Sequence, residues 1–179
     1  MTHPQAWRRI AAFLLDYLLI LVYLGILALV GLSLALGPLS EAWSALVSTA
    51  ARKDLLAFFT TVLPVMAYFV WSERSPAGGT WGKRKLGLRV VDAQSGRISR
   101  GQAVVRSVVK FTPWQMAHSA LFHIPGFPMA PQDPPTWTVW MLSAMWLVVA
   151  AYLLGLTQWG GRRTLYDRIS STHVISVAR

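Results

Sequence analysis

Four apolar segments alternate with charged stretches along this chain of 179 residues. They cover residues 10–36, 55–71, 106–124 and 137–156. A helix rises 1.5 Å per residue, so about 20 residues cross a hydrocarbon core of roughly 30 Å. The pattern therefore predicts an α-helical integral membrane protein with four transmembrane helices, folded as a single membrane domain over residues 1–179.

The basic residues lie mainly in the stretches that this topology places on one side of the bilayer. Placing the N-terminus inside puts two Lys or Arg residues before the first segment, eight within residues 72–107 and four after Gln158 in the cytoplasm. The positive-inside rule then predicts that both termini are cytoplasmic. The formal net charge of +10 also suggests nucleic acid. We expect none, because the basic residues are separated by apolar segments and form no continuous soluble surface.

The cytoplasmic stretch over residues 84–100 has the pattern of a small β-hairpin. Apolar and polar residues alternate over 86–90, which is typical of a strand with one buried face. Residues 92–96 supply turn chemistry, and 97–99 are expected to return as a short second strand. The β-prone stretch 172–177 is a candidate third strand of the same sheet.

Asp16 is the first candidate for chemistry, because it lies inside the uncharged first segment. Burying a carboxylate in a membrane costs an estimated ~2.5 to 3.5 kcal/mol on insertion scales, so ionisable residues there are functional candidates. Asp16 is expected to be protonated, paired or exposed to a water cavity. We expect Lys110 as its partner, because it enters the third segment from the same side at a similar depth. Arg106, one turn earlier, is the alternative.

A basic cluster follows the glycines at 78, 79 and 82, and consists of Lys83, Arg84 and Lys85. The P-loop pattern also requires glycine at 77 and Ser or Thr at 84, and the chain has Ala77 and Arg84 there. We therefore expect the cluster to lie at the membrane interface, where each cation contributes roughly 1 kcal/mol near anionic lipid.

The remaining polar residues do not form a recognisable catalytic or metal-binding pattern. The chain has no cysteine, and His118 and His123 are five residues apart, which does not stack two ligands on one helical face. No Ser, His and acid are arranged for hydrolysis. We expect no catalytic residue, no metal, no cofactor and no enzymatic activity.

Three separated motifs resemble the RDD family of bacterial membrane proteins. They are Arg9 with Asp16 seven residues later, the run from Thr80 to Asp92, and the run Leu165-Tyr166-Asp167-Arg168. The motifs occur in the family's order, and the resemblance extends from Arg8 to about Val177. Trp81, Tyr166 and Ser171 depart from the residues that are frequent in the family.

The resemblance implies a multi-pass protein of the bacterial cytoplasmic (inner) membrane. The arginine and two aspartates for which the family is named would be Arg9, Asp16 and Asp167 here. Asp167 is expected at the cytoplasmic interface, held by Arg9, Arg84 or Arg168. Some members of the family are proposed to exchange sodium or other monovalent cations for protons.

Two functions remain open from the sequence. In the first, the protein transports monovalent cations or protons as an antiporter, with Asp16 as the ion-binding carboxylate, Lys110 as its counter-ion, and a homo-oligomer forming the pathway. In the second, it is a non-catalytic accessory or assembly subunit of a membrane complex. Its partners would then be a membrane or cytosolic protein, or anionic lipid.

Overall fold

The structure, a computed structural model, describes residues 5–157 and 163–177. Eight α-helices and two strands occur within this part of the chain. The helices are α1 (Ala6–Leu36), α2 (Ser40–Leu46), α3 (Ala50–Ala57), α4 (Leu63–Arg74), α5 (Trp81–Lys85), α6 (Arg100–Phe122), α7 (Thr136–Thr157) and α8 (Leu165–Ile169). The strands are β1 (Leu88–Asp92) and β2 (Thr172–Ser176), and a π-helical turn, Phe58–Val62, joins α3 to α4.

Three stretches of helix in the described residues are long and apolar enough to cross a membrane. They are Ala6–Leu36, Ala50–Arg74 and Thr136–Leu156, and they coincide with the first, second and fourth predicted segments. The third predicted segment is also helical, within α6, but it carries Arg106 and Lys110 and is less apolar. The count of four spans and the side on which the termini lie therefore stay predictions.

The chain divides into two compact units. The first comprises the described residues within Met1–Ile20, Val65–Phe111 and Val148–Arg179, and the second comprises Leu21–Pro64 and Thr112–Leu147. Several long helices, such as α1, α6 and α7, contribute residues to both units. Each unit is therefore built from separate stretches of the chain.

A two-stranded antiparallel sheet lies in the first unit. β1 pairs with β2 so that Leu88 faces Ser176 and Asp92 faces Thr172. The predicted local hairpin over residues 84–100 is wrong, because the partner of β1 is the C-terminal stretch that we had assigned as a third strand. Pairing with β2 buries four consecutive residues, 172–175, whereas Arg97 and Ser99 of the expected return strand are exposed.

The predicted turn after β1 does form. One carboxylate oxygen of Asp92, Oδ1, accepts the backbone N–H groups of Gln94 at 3.0 Å and Gly96 at 2.7 Å. The chain then enters α6 through a reciprocal cap. The Ser99 hydroxyl accepts the N–H of Gln102, and the Gln102 side-chain oxygen accepts the N–H of Ser99.

The hydrophobic core of the first unit packs the sheet against α1 and α6. It contains Ala12, Leu88, Val90, Ile98, Ala103 and Val174, with Val70 and Leu86 at its edge. The helices contribute alanines at these contacts, which lets their backbones approach the strands closely. The strands contribute Leu88 and the β-branched residues Val90 and Val174, which are larger and pack well on a pleated surface.

The second unit contains polar contacts between its helices. Asp54 in α3 accepts hydrogen bonds from the Gln115 side-chain amide and the Ser119 hydroxyl in α6, both at 2.8 Å. The Tyr23 hydroxyl in α1 donates to the carbonyl of Thr60 at 2.6 Å, within the π-helical turn. A π turn disrupts the regular hydrogen-bond ladder, and Tyr23 supplies a donor for one of its carbonyls.

Val174→Ala is expected to lower the free energy of unfolding by about 2 kcal/mol, because Val174 is fully buried between β1 and the helices. The measurement is unfolding of the purified protein in mixed detergent and SDS micelles. Val177→Ala is the matched control and should stay within about 0.5 kcal/mol of wild type, because that side chain is exposed. Equal losses in both variants would contradict the assignment of this core.

Candidate functional site: a buried charged cluster

Three carboxylates of the first unit are fully buried. They belong to Asp16 in α1, Glu73 in α4 and Asp167 in α8, and each residue is 0% exposed. A buried carboxylate destabilises a fold unless hydrogen bonds or opposite charges compensate for its lost hydration. We therefore describe the hydrogen bonds and opposite charges that surround each of the three carboxylates.

Asp16 caps the short helix α5 from another helix. Its Oδ1 atom accepts the backbone N–H of Gly82 at 2.8 Å, and its Oδ2 atom accepts the hydroxyl of Thr80 at 2.5 Å. Thr80 is the N-cap residue of α5 but makes no capping bond with its own side chain. Asp16 thus satisfies a backbone N–H that is unpaired at every helix start, and it places negative charge where the helix dipole favours it.

Tyr68 and Gly82 complete the surroundings of Asp16. The Tyr68 hydroxyl donates to Asp16 Oδ1 at 3.1 Å and accepts the N–H of Trp81 at 2.9 Å. A Cβ atom at position 82 would lie 2.1 Å from the carbonyl oxygen of Ala12 and 3.1 Å from Asp16 Cγ. Only glycine lets α5 approach α1 this closely.

Glu73 receives three cations. Its Oε1 atom accepts from the ammonium groups of Lys83 at 2.8 Å and Lys110 at 3.0 Å, and its Oε2 atom accepts from Arg106 Nε at 2.8 Å. These partners come from α5 and α6, so Glu73 connects α4 to both helices. Lys110 also lies over the ring of Phe69, 4.2 Å from its centroid, where a cation–π interaction adds to the ion pair.

Asp167 is held by two guanidinium groups and by its own helix start. Arg9 reaches its Oδ2 atom at 2.5 Å, and Arg106 donates to its Oδ1 atom. The N–H and hydroxyl of Thr164 both donate to Oδ2 at 2.8 Å, and the bond from the N–H is one half of a capping box at the start of α8. Burial alone would raise the pKa of Asp167, but Arg106 and then Arg9 hold this pKa well below its usual range.

We refer to Glu73, Asp167, Arg9, Lys83, Arg106 and Lys110 as the charged cluster. Four cations face two carboxylates, which leaves two positive charges in excess. Arg106 joins the two halves because its guanidinium contacts both carboxylates, and its Nη1 atom also donates to the Thr172 hydroxyl at 2.8 Å. An aromatic ring stabilises the excess charge. The centroid of the Tyr166 ring lies 5.0 Å from Arg106 Cζ and 5.3 Å from Lys110 Nζ.

The predicted partner of Asp16 is wrong. Lys110 pairs with Glu73, and Arg106 pairs with Glu73 and Asp167. Within the described residues, the hydrogen bonds to Asp16 come from Tyr68, Thr80 and Gly82, which are neutral. The start of α5 offers Asp16 two donors from a single turn, which removes its need for a cation.

The ion pair of Arg9 and Asp167 is one of the three pairings that the sequence left open for Asp167. Arg9 and Asp16 share the buried face of α1 with Ala12, and Arg9 is a partner of Asp167 as expected. Lys83, however, does not belong to an exposed basic cluster, since its side chain is 12% exposed and turned to Glu73. Arg84 and Lys85 are exposed.

Glu73 is the important residue that the sequence analysis missed. The predicted topology places it in the cytoplasmic stretch 72–107, where a buried carboxylate is not expected. The signal was its spacing, because Val65, Phe69 and Glu73 recur every four residues and form the buried face of α4. No group of three or more His, Asp or Glu side chains in residues 5–157 and 163–177 is placed to hold a metal ion.

A model of the RDD family matches residues 3–171, which is nearly the whole chain. No curated protein and no solved structure matches this sequence. The matched range contains the charged cluster, from Arg9 to Asp167, and Asp16 with its three donors.

Gly82→Ala is expected to lower the free energy of unfolding by about 3 kcal/mol, since the added methyl group overlaps the carbonyl of Ala12. Gly25→Ala is the matched control, because a Cβ atom at that helical position meets nothing within 4 Å. The control should be neutral or stabilising by up to about 1 kcal/mol. Unfolding in detergent measures both, and a neutral Gly82→Ala would contradict the close approach of α5 to α1.

Double-mutant cycles should distinguish the two possible partners of Lys110. We expect Glu73→Gln and Lys110→Met to be coupled by about 1 to 3 kcal/mol, because they are in contact. Asp16→Asn and Lys110→Met should be additive within about 0.5 kcal/mol. Unfolding free energies of the single and double variants give both values. Strong coupling of Lys110 to Asp16 alone would overturn the observed pairing.

Proposed function

This chain belongs to the RDD family, and from that premise we propose that it is a non-catalytic accessory or assembly subunit of a complex in the bacterial cytoplasmic membrane. The observation that carries the proposal is that every oxygen of its buried acids is paired with a donor of the chain. All six oxygens of Asp16, Glu73 and Asp167 accept hydrogen bonds from the chain itself.

An ion-binding carboxylate has to exchange its protein ligands for the ion. Here that exchange requires breaking contacts that hold helices together, because the partners of Glu73 lie on α5 and α6 and those of Asp167 lie on α1 and α6. The two excess positive charges of the charged cluster also oppose the entry of another cation, since charges interact strongly where the dielectric constant is low. Both features favour a static role.

A static charged cluster suits an assembly function. It fixes α5, α8 and the β1–β2 sheet against the buried ends of α1, α4 and α6 within the first unit. A surface that is already ordered loses little conformational entropy when a partner binds. We propose that the face formed by this sheet and α8 is cytoplasmic and docks a membrane or cytosolic partner.

Monovalent cation/proton exchange is the second candidate, and one observation favours it. Glu73 Oε1 receives two ammonium groups, while Arg106 already holds Oε2. If Lys110 releases its proton, a monovalent cation can occupy the place of the ammonium beside Glu73 with no change in total charge. The candidate ion-binding carboxylate would then be Glu73 and not Asp16, with a homo-oligomer providing the pathway.

A proton-flux assay in everted membrane vesicles separates the two functions. Sodium, lithium or potassium salt is added to vesicles with wild type, Glu73→Gln or Asp16→Asn at equal expression, and to vesicles without the protein. We expect no salt-dependent flux above the empty vesicles, because every carboxylate oxygen is already bonded to a donor of the chain. Flux that is lost in Glu73→Gln would overturn the accessory function and establish exchange at Glu73.

The accessory function also has a positive test. Solubilised native membranes and the purified protein are compared by native electrophoresis, with detection of an epitope tag. We expect the protein in native membranes to migrate in a larger complex than the purified protein does. Identical migration, after chemical cross-linking as well, would contradict an assembly role.

A further inference from the structure

The short helix α5 has one face turned inward and one turned outward. On the inner face, Lys83 reaches Glu73, and Gly82 packs against α1. On the outer face, Arg84 and Lys85 are exposed. Trp81 is partly buried, and Lys85 Nζ lies 5.9 Å from the centroid of its ring. Of the three consecutive cations, Lys83 therefore belongs to the charged cluster, and Arg84 and Lys85 are exposed.

The surface around α5 is short of negative charge. The first unit has four acidic residues, and three of them, Asp16, Glu73 and Asp167, are completely buried. The fourth, Asp92, accepts the backbone N–H groups of its own turn. Within the described residues of the first unit, the acidic side chains are thus buried or held in a turn, whereas Arg84 and Lys85 are exposed. An excess of exposed cations attracts an anionic ligand.

The start of α1 lies beside the C-terminal end of α5. Arg8 Nη2 donates to the carbonyl oxygen of Leu86, the residue after Lys85, at 2.5 Å. Trp7 is 60% exposed, and Ile10, one turn further along α1, is 42% exposed. Exposed tryptophans next to cations, followed at once by exposed apolar residues of a candidate span, are typical of the headgroup level of a bilayer.

We propose that Arg84 and Lys85, together with Trp81, bind the phosphate group of an anionic phospholipid. The guanidinium and ammonium groups supply charge and hydrogen-bond donors to the phosphate, and the indole ring packs against the glycerol region. A lipid fits better than an acidic protein, because the cations adjoin the exposed apolar side of α1. The site is preorganised, since Asp16 and Lys83 fix α5 from its inner face. This site goes beyond the proposed function and does not depend on a partner protein or on ion exchange.

The test measures lipid binding to the full-length purified protein in mixed micelles by native mass spectrometry. Phosphatidylglycerol is compared with phosphatidylcholine of the same acyl chains, for wild type and for the double variant Arg84→Gln/Lys85→Gln. The matched control is Arg52→Gln/Lys53→Gln, another adjacent Arg-Lys pair, which lies in the second unit. Circular dichroism and size-exclusion chromatography verify that each variant is folded.

We expect wild type and the control to prefer phosphatidylglycerol by about 30-fold in affinity, since two cations near an anionic lipid contribute about 2 kcal/mol. The Arg84→Gln/Lys85→Gln variant should lose this preference. If that variant is misfolded, Arg84→Gln and Lys85→Gln singly should each reduce the preference about fivefold.

Three results would overturn the proposal. The first is equal binding of the two lipids to wild type. The second is the same loss of preference in the control variant, which would indicate nonspecific attraction by total charge. The third is complete competition by inorganic phosphate at millimolar concentration, which would indicate a site for a soluble anion.

Discussion

The contacts of Arg106 hold the first unit together. Its guanidinium contacts Glu73 of α4, Asp167 of α8 and Thr172 at the start of β2, so a single side chain connects α6 to α4 and to the C-terminal segment. Neither carboxylate is stable in a buried position without such a partner. The position of the C-terminal strand against β1, and with it the core around Val90 and Val174, therefore depends on an ionic contact as much as on apolar packing.

The sequence predicted the parts of this structure that have a local signal. Hydropathy located the long helical stretches but not the short helices α2, α5 and α8. Alternation located β1, and the β-prone stretch near residue 174 proved to be a strand. Family resemblance brought Arg9 and Asp167 to attention, and the structure joins them in an ion pair. The predicted strand partner of β1 was wrong. The turn after Asp92 made a local hairpin plausible, whereas the apolar burial that decides the pairing comes from residues 80 to 88 positions away.

The partners of the buried charges had no local signal. Asp16 and Lys110 appeared matched because each was regarded as a lone charge in an apolar segment. Their actual partners are the start of α5 and Glu73, and both lie in a stretch that resembles an ordinary charged loop. Depth along a helix is a poor guide to the partner of a buried charge where a short helix packs against the long one. Here α5 packs against α1, and Gly82 lies close to the backbone of Ala12.

Because Asp167 lies near the C-terminus, it is synthesised after the cations that it pairs with. Arg9, Arg106 and Lys110 leave the ribosome before the carboxylate that balances two of them, and β1 before its only strand partner in the described residues. Until residues 164–176 emerge, the positive groups of α1 and α6 have only Glu73 to pair with among the buried acids that hold them. Closure of the first unit is therefore a late event in biogenesis, during which incompletely compensated helices are exposed to lipid, insertion machinery and proteases.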